Sequence, residues 1–181
     1  MKNKKDTSSV SKRQKNIRLL ACSALFVALS IICGKYLAIP FGNILRFSFE
    51  NLPIILSGVL FGGLAGAIVG ALADILGCIL VGYAINPLVT AGAVAIGLIS
   101  GVTYHFIKKS PLPLRLALSV AFSHIIGSVI IKTFGLAAWY DIPTFELMLW
   151  RLLNYVIVGV LEFIILFALL KVKAIKEISQ N

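Results

Sequence analysis

Six ionisable residues stand where a polar group is costly. Of the 17 Lys and Arg, 13 fall at places that read as cytoplasmic. Seven are near the N-terminus (Lys2, Lys4, Lys5, Lys12, Arg13, Lys15, Arg18), three lie in one loop (Lys108, Lys109, Arg115) and three close the chain (Lys171, Lys173, Lys176). The other four, Lys35, Arg46, Lys132 and Arg151, come to the outer face when the apolar segments are threaded through a bilayer. Cations there run against the positive-inside bias, and each one placed in hydrocarbon costs roughly 2.5–3.5 kcal/mol on insertion scales. Asp74 and Glu162 are acids inside apolar segments, where a carboxylate needs a partner or a proton. The chemistry open to such a set is capture of an anionic solute from outside. Arginine holds a carboxylate in a planar, two-pronged way, and Asp74 can accept paired N–H donors. Phe47, Phe49, Tyr83, Phe134, Trp139 and Tyr140 offer faces for stacking.

Reactive chemistry has no comparable signature. The chain lacks GxxxxGK[ST], so no P-loop binds ATP, and it lacks HExxH. His105 and His124 stand apart and read as hydrogen-bonded helix residues. Cys22, Cys33 and Cys78 show no CxxC spacing and read as small packing residues. No enzyme, metal or cofactor is expected. The +10 net charge sits mostly in the tails and one loop, which suits topology and anionic lipid rather than nucleic acid.

The elements that must position these residues are apolar helices. Only 13% of the residues are charged and the mean hydropathy is +0.98, against about 25% charged in a soluble domain. The expected fold is all-α, a bundle of six transmembrane helices in the cell membrane with both termini cytoplasmic. Residues 1–16 read as a flexible basic tail and 17–181 as one membrane domain, with no cleavable signal peptide. The spans fall at about 17–37, 50–62, 64–81, 88–107, 113–134 and 145–171. Residues 38–49 form an outer loop behind Pro40 and Gly42, Phe61-Gly62-Gly63 breaks the second hairpin, and Trp139, Tyr140, Asp141 and Pro143 mark a third outer loop. Six spans put all three basic clusters on one side. A five-span reading would put the 108–115 loop outside. Gly58, Gly62, Gly66 and Gly70, Gly97 and Gly101, and Ala24 and Ala28 recur every four residues, a spacing that lets helices approach closely in lipid.

Two stretches carry a resemblance. ILRFSFENLPIILSGVLFGGLAGAIVGALADILG with NPLVTAGAVAIGLISGVTY, and IIKTFGLAAWYDIP with MLWRLLNYVIVGVLEFIILFALL, resemble the substrate-binding (S) components of energy-coupling factor (ECF) vitamin transporters, the folate-type members above all. Ala24-Leu25-Phe26-Val27-Ala28 looks like the motif that S components set against their coupling subunit. The resemblance implies high-affinity capture of folate or a related pterin outside the cell. It also implies delivery inward by a transmembrane coupling subunit and two ATPase subunits. Arg46, Lys132 and Arg151 would neutralise the glutamate tail of folate, Asp74 would accept from the pterin, and Phe47, Phe49, Tyr83 or Trp139 would stack. Two positions depart from the family pattern: Lys132 stands before Thr133 where many relatives carry Asn, and the Val81–Pro87 loop is short. An S component for another anionic vitamin or precursor, and a self-sufficient small transporter, remain alternatives. Lys35 reads as a helix-end cation that snorkels. Glu162 lies about 16 Å deeper than Arg151 by helical rise and reads as structural or close to the coupling subunit.

Overall fold

A computed structural model describes the backbone of residues 3–41 and 45–172 and the side chains of residues 13–40 and 47–172. Helix α1 runs Asn3–Ile31 and continues as a wide π-turn, Ile32–Tyr36. Strands β1 (Ile39–Phe41) and β2 (Leu45–Phe47) pair antiparallel, with Pro40 opposite Arg46. Helix α2 spans Asn51–Phe61, α3 Gly63–Val81 and α4 Pro87–Phe106. Helix α5 (Leu112–Phe122) passes through a π-wound stretch, Ser123–Ile131, straight into α6 (Lys132–Tyr140). Helix α7 is Thr144–Lys171. With 112–140 taken as one rod, the described residues form six helices, five of them long and apolar enough to cross a membrane.

Among the described residues the fold is helical as expected, apart from the short β1–β2 hairpin, whose three-residue strands are too brief to show a period of two. Three expectations change. Residues 3–16, expected to be flexible, are helical; once the apolar part of α1 has formed, extending it needs no new nucleus. The fifth helix does not stop at 134. Between 134 and 140 the sequence offers no proline, and the rod ends only where Asp141 turns left-handed (φ 54°) before Pro143. Trp139 and Tyr140 therefore sit on the last turn of α6 rather than in a loop. Finally, α2 has 11 residues, about 16 Å of rise, half the roughly 30 Å of a hydrocarbon core. Asn51 to Leu60 are all buried, so α2 is an interior helix walled by its neighbours.

Glycine explains how α2 fits inside. Gly62 (φ 93°) turns the chain between α2 and α3, a conformation glycine adopts without strain. A Cβ on Gly66 would meet Gly97 O at 2.5 Å and Gly58 Cα at 2.8 Å, and one on Gly97 would strike the backbone of Gly66. The four-residue glycine spacing thus packs α2, α3 and α4 backbone to backbone. These contacts also fix depth. Gly58 lies beside Gly97 and Ser100, and Gly70 beside Ala93 and Ile54. Helix α2 therefore starts roughly a turn and a half inside the outer end of α4. That offset leaves a recess at the start of α2, bounded by α1, α3, α4 and the α5–α6 rod.

Candidate functional site

The recess is lined by charge. Lys35 comes from the π-turn of α1, Glu50 from the residue before α2, Asp74 from α3 and Lys132 from the start of α6; Ser30, Ile31, Ile54, Ala73 and Ala93 complete the lining. Lys132 is 3% exposed. Its Nζ donates to Glu50 Oε1 at 2.8 Å and to Asn51 Oδ1 at 3.5 Å. Its stem lies over Gly92, where a Cβ would overlap Lys132 Cγ. Asp74 Oδ2 accepts from Thr90 Oγ1 at 2.6 Å. The Lys35 stem rests against Gly77 and its ammonium lies 5.7 Å from the Tyr83 ring centroid. The space among these side chains is about 10 Å³, room for one water at most.

Arg151 is buried at 7% exposure but does not line the recess. Its guanidinium donates twice to Ser128 O, at 3.3 and 3.0 Å, and to Tyr155 Oη at 3.3 Å. The two regions join through Asn51, whose Nδ2 donates to Ser128 Oγ at 3.4 Å. Of the expected set, then, Asp74 and Lys132 come together directly, and Arg151 is linked to them through the Asn51–Ser128 bridge. Lys132 lies at the centre of the recess, bonded to Glu50 and Asn51. The Arg46 side chain lies outside the described residues. Phe49, Tyr83 and Trp139 are exposed toward the outer end, Phe47 is partly buried, and Ala24 and Ala28 lie on the exposed face of α1.

Sequence reasoning missed two features. Glu50 and Asn51 carry the interior side of the site. An acid ahead of an apolar helix reads as an ordinary helix start, and its lysine partner is 82 residues away. The second is the His124–Glu162 pair, 2.6 Å apart with Glu162 fully buried. Tyr155 stacks on His124 at 4.9 Å, and Ser128 Oγ lies 3.3 Å from His124 Nδ1. The equal depth of two lone residues on different helices was the one available signal. A larger cavity, about 350 Å³, lies between α5 and α7 beside this pair. Its walls are almost wholly aliphatic and aromatic, so the charged recess, though smaller, is the better candidate for recognising an ion. No group of three or more His, Cys, Asp or Glu positioned to hold a metal occurs among the described residues.

The profile of the family described as "ECF transporter, substrate-specific component" matches residues 18–174. The chain belongs to this family. As a substrate-specific component it is a multi-pass membrane protein that serves as the binding part of a transporter rather than as an enzyme. Two solved structures illustrate the shared fold. A crystal structure of FolT bound with folic acid is 26% identical, with a TM-score of 0.68, covering 83% of this chain and 90% of that one. The S component for biotin from an ECF-type ABC transporter is 19% identical, with a TM-score of 0.67, covering 92% and 97%. Comparison with curated proteins gives no match.

Proposed function

We propose that this S component captures folate or a close pterin derivative at the outer face of the cell membrane and passes it inward with an ATP-driven coupling module. The observation that carries the reading is the clustering of Asp74, Lys132 and Lys35 in one recess, in a chain 26% identical to a FolT solved with folic acid. Folate presents N–H donors at its pterin and two carboxylates at its glutamate tail. Asp74, half-buried and already accepting a hydrogen bond, suits the donors. Lys132 and Arg46 suit the carboxylates, and Arg151 supports them through Ser128 and Asn51. Phe49, Tyr83 and Trp139, all exposed, would stack on the ring system. The recess must widen to admit a pterin.

Six passes through the membrane with both termini cytoplasmic belong to the same proposal, the short α2 carrying the chain from the recess to the inner side, where Gly62 turns it into α3. This arrangement keeps the basic loop and both basic ends on one side. A transmembrane coupling subunit would dock on the exposed small residues of α1, Ala24 and Ala28, and two ATPase subunits would supply the energy. The direct test is titration of folate, a tail-less pterin and biotin into the detergent-purified protein, with an absorbance spectrum to detect co-purified pterin. Saturable folate binding with biotin inert supports the proposal. Binding of biotin or another anionic vitamin with folate inert would overturn the ligand assignment and leave the family unchanged.

A further inference from the structure

Lys132 already holds a carboxylate, and the residue that supplies it is partly open to solvent. Glu50 lies between the β1–β2 hairpin and α2. Its backbone oxygen accepts from Ser30 Oγ at 2.6 Å, and its Oε1 accepts from Lys132 Nζ at 2.8 Å. Its other oxygen lies against α1 at Gly34, where a Cβ would stand 2.7 Å from both Glu50 Cβ and Glu50 Oε2. Gly34, within the π-turn, thus leaves the space that the carboxylate uses. The two sides of the pair differ in exposure. The Lys132 side chain is 4% exposed and confined by Gly92 and Asn51, whereas the Glu50 side chain is 21% exposed and follows the exposed Phe49. With about 10 Å³ of space left, no second carboxylate fits beside Lys132 while Glu50 is there.

We infer that Glu50 is an internal stand-in for the ligand's carboxylate, so that an anionic ligand binds by exchange, its own carboxylate replacing that of Glu50 on Lys132. This inference rests on the recess being the ligand site. The exchange has a physical consequence for selectivity. A buried ammonium left without an anion is costly, so Glu50 keeps Lys132 neutralised in the empty protein. A ligand with no carboxylate leaves the pair intact and gains nothing from Lys132. A carboxylated ligand gains the buried ammonium and releases Glu50 toward water, where its charge is hydrated. Glu50 thereby sets a threshold: it weakens every anion by the strength of its own contact and rejects those that cannot match it.

The test compares wild type with Glu50→Gln by calorimetric titration in detergent, using folate, p-aminobenzoylglutamate, tail-less pterin and biotin. An amide is a weaker partner for an ammonium than a carboxylate is, so Glu50→Gln should tighten folate and p-aminobenzoylglutamate about tenfold and leave pterin unchanged. Glu50→Asp, one methylene shorter, should give a smaller tightening in the same order, and it decides the question if Glu50→Gln does not fold. Wild-type folate binding that is unchanged or weakened in both variants would overturn the exchange while leaving the folate assignment intact. Biotin binding that tightens in Glu50→Gln, with folate inert, would support the exchange and overturn the folate assignment. No binding of any of these anions to either protein would overturn both.

Discussion

Replacing Lys132 with Met separates what that residue does for stability from what it does for binding. Methionine keeps much of the buried stem over Gly92 and removes the charge. Lys132 is 3% exposed and its ammonium sits 2.8 Å from Glu50 Oε1. Breaking a fully buried pair by removing one partner costs about 3–5 kcal/mol. The Glu50 side chain keeps 21% of its exposure, so water recovers part of that, and a loss of about 2–3 kcal/mol is expected. Adding Glu50→Gln removes the uncompensated carboxylate and should restore most of the lost stability. Folate affinity should behave differently. Loss of a charge-assisted hydrogen bond in a desolvated site costs about 1.5–3 kcal/mol, roughly ten- to 150-fold in Kd, and the Glu50→Gln change cannot return it because the ammonium is still missing. Thermal unfolding in detergent without ligand reads the first quantity and calorimetric titration of folate reads the second. A double variant as unstable as Lys132→Met would refute the pair as the source of stability. Folate binding equal to wild type in Lys132→Met would refute its role as the ligand's cation.

Three further outcomes are expected. Asp74→Asn should weaken folate and tail-less pterin alike, by about 1.5–3 kcal/mol, since an amide cannot accept two donors in the same paired way; a loss confined to folate in a calorimetric comparison would contradict the pterin assignment. Ala24→Trp or Ala28→Trp, on the exposed face of α1, should leave ligand binding intact while blocking uptake and assembly with the coupling subunit, and normal transport by both variants would remove these residues from the interface. A cysteine introduced between 139 and 143 should react with an impermeant thiol reagent in intact cells, whereas labelling only after permeabilisation would reverse the orientation.

Local pattern was enough for most of what depends on neighbours along the chain. Long apolar runs fixed the helices of α1, α3, α4 and α7 to within a residue or two at most ends, because a bilayer demands a minimum length and internally satisfied backbone. Gly62 and Pro87 located breaks because glycine and proline act on their own backbone. The misplaced cations, above all Lys132, pointed to a polar recess because charge in an apolar segment is costly wherever the chain goes. Partnership was not legible. Whether α2 crosses the membrane or lies inside depended on how Gly58, Gly66, Gly97 and Gly101 let three backbones meet, a matter of depth offsets between helices. The same offsets put Glu50, 82 residues from Lys132, within 2.8 Å of it and His124 within 2.6 Å of Glu162. They also turned Arg151 toward Ser128 O. Sequence thus determined which residues had to find a partner, because the cost of burying a charge is local. Only the packing of helices around α2 decided which partner each found, because a Coulomb contact of a few ångströms depends on distances that no spacing along the chain records.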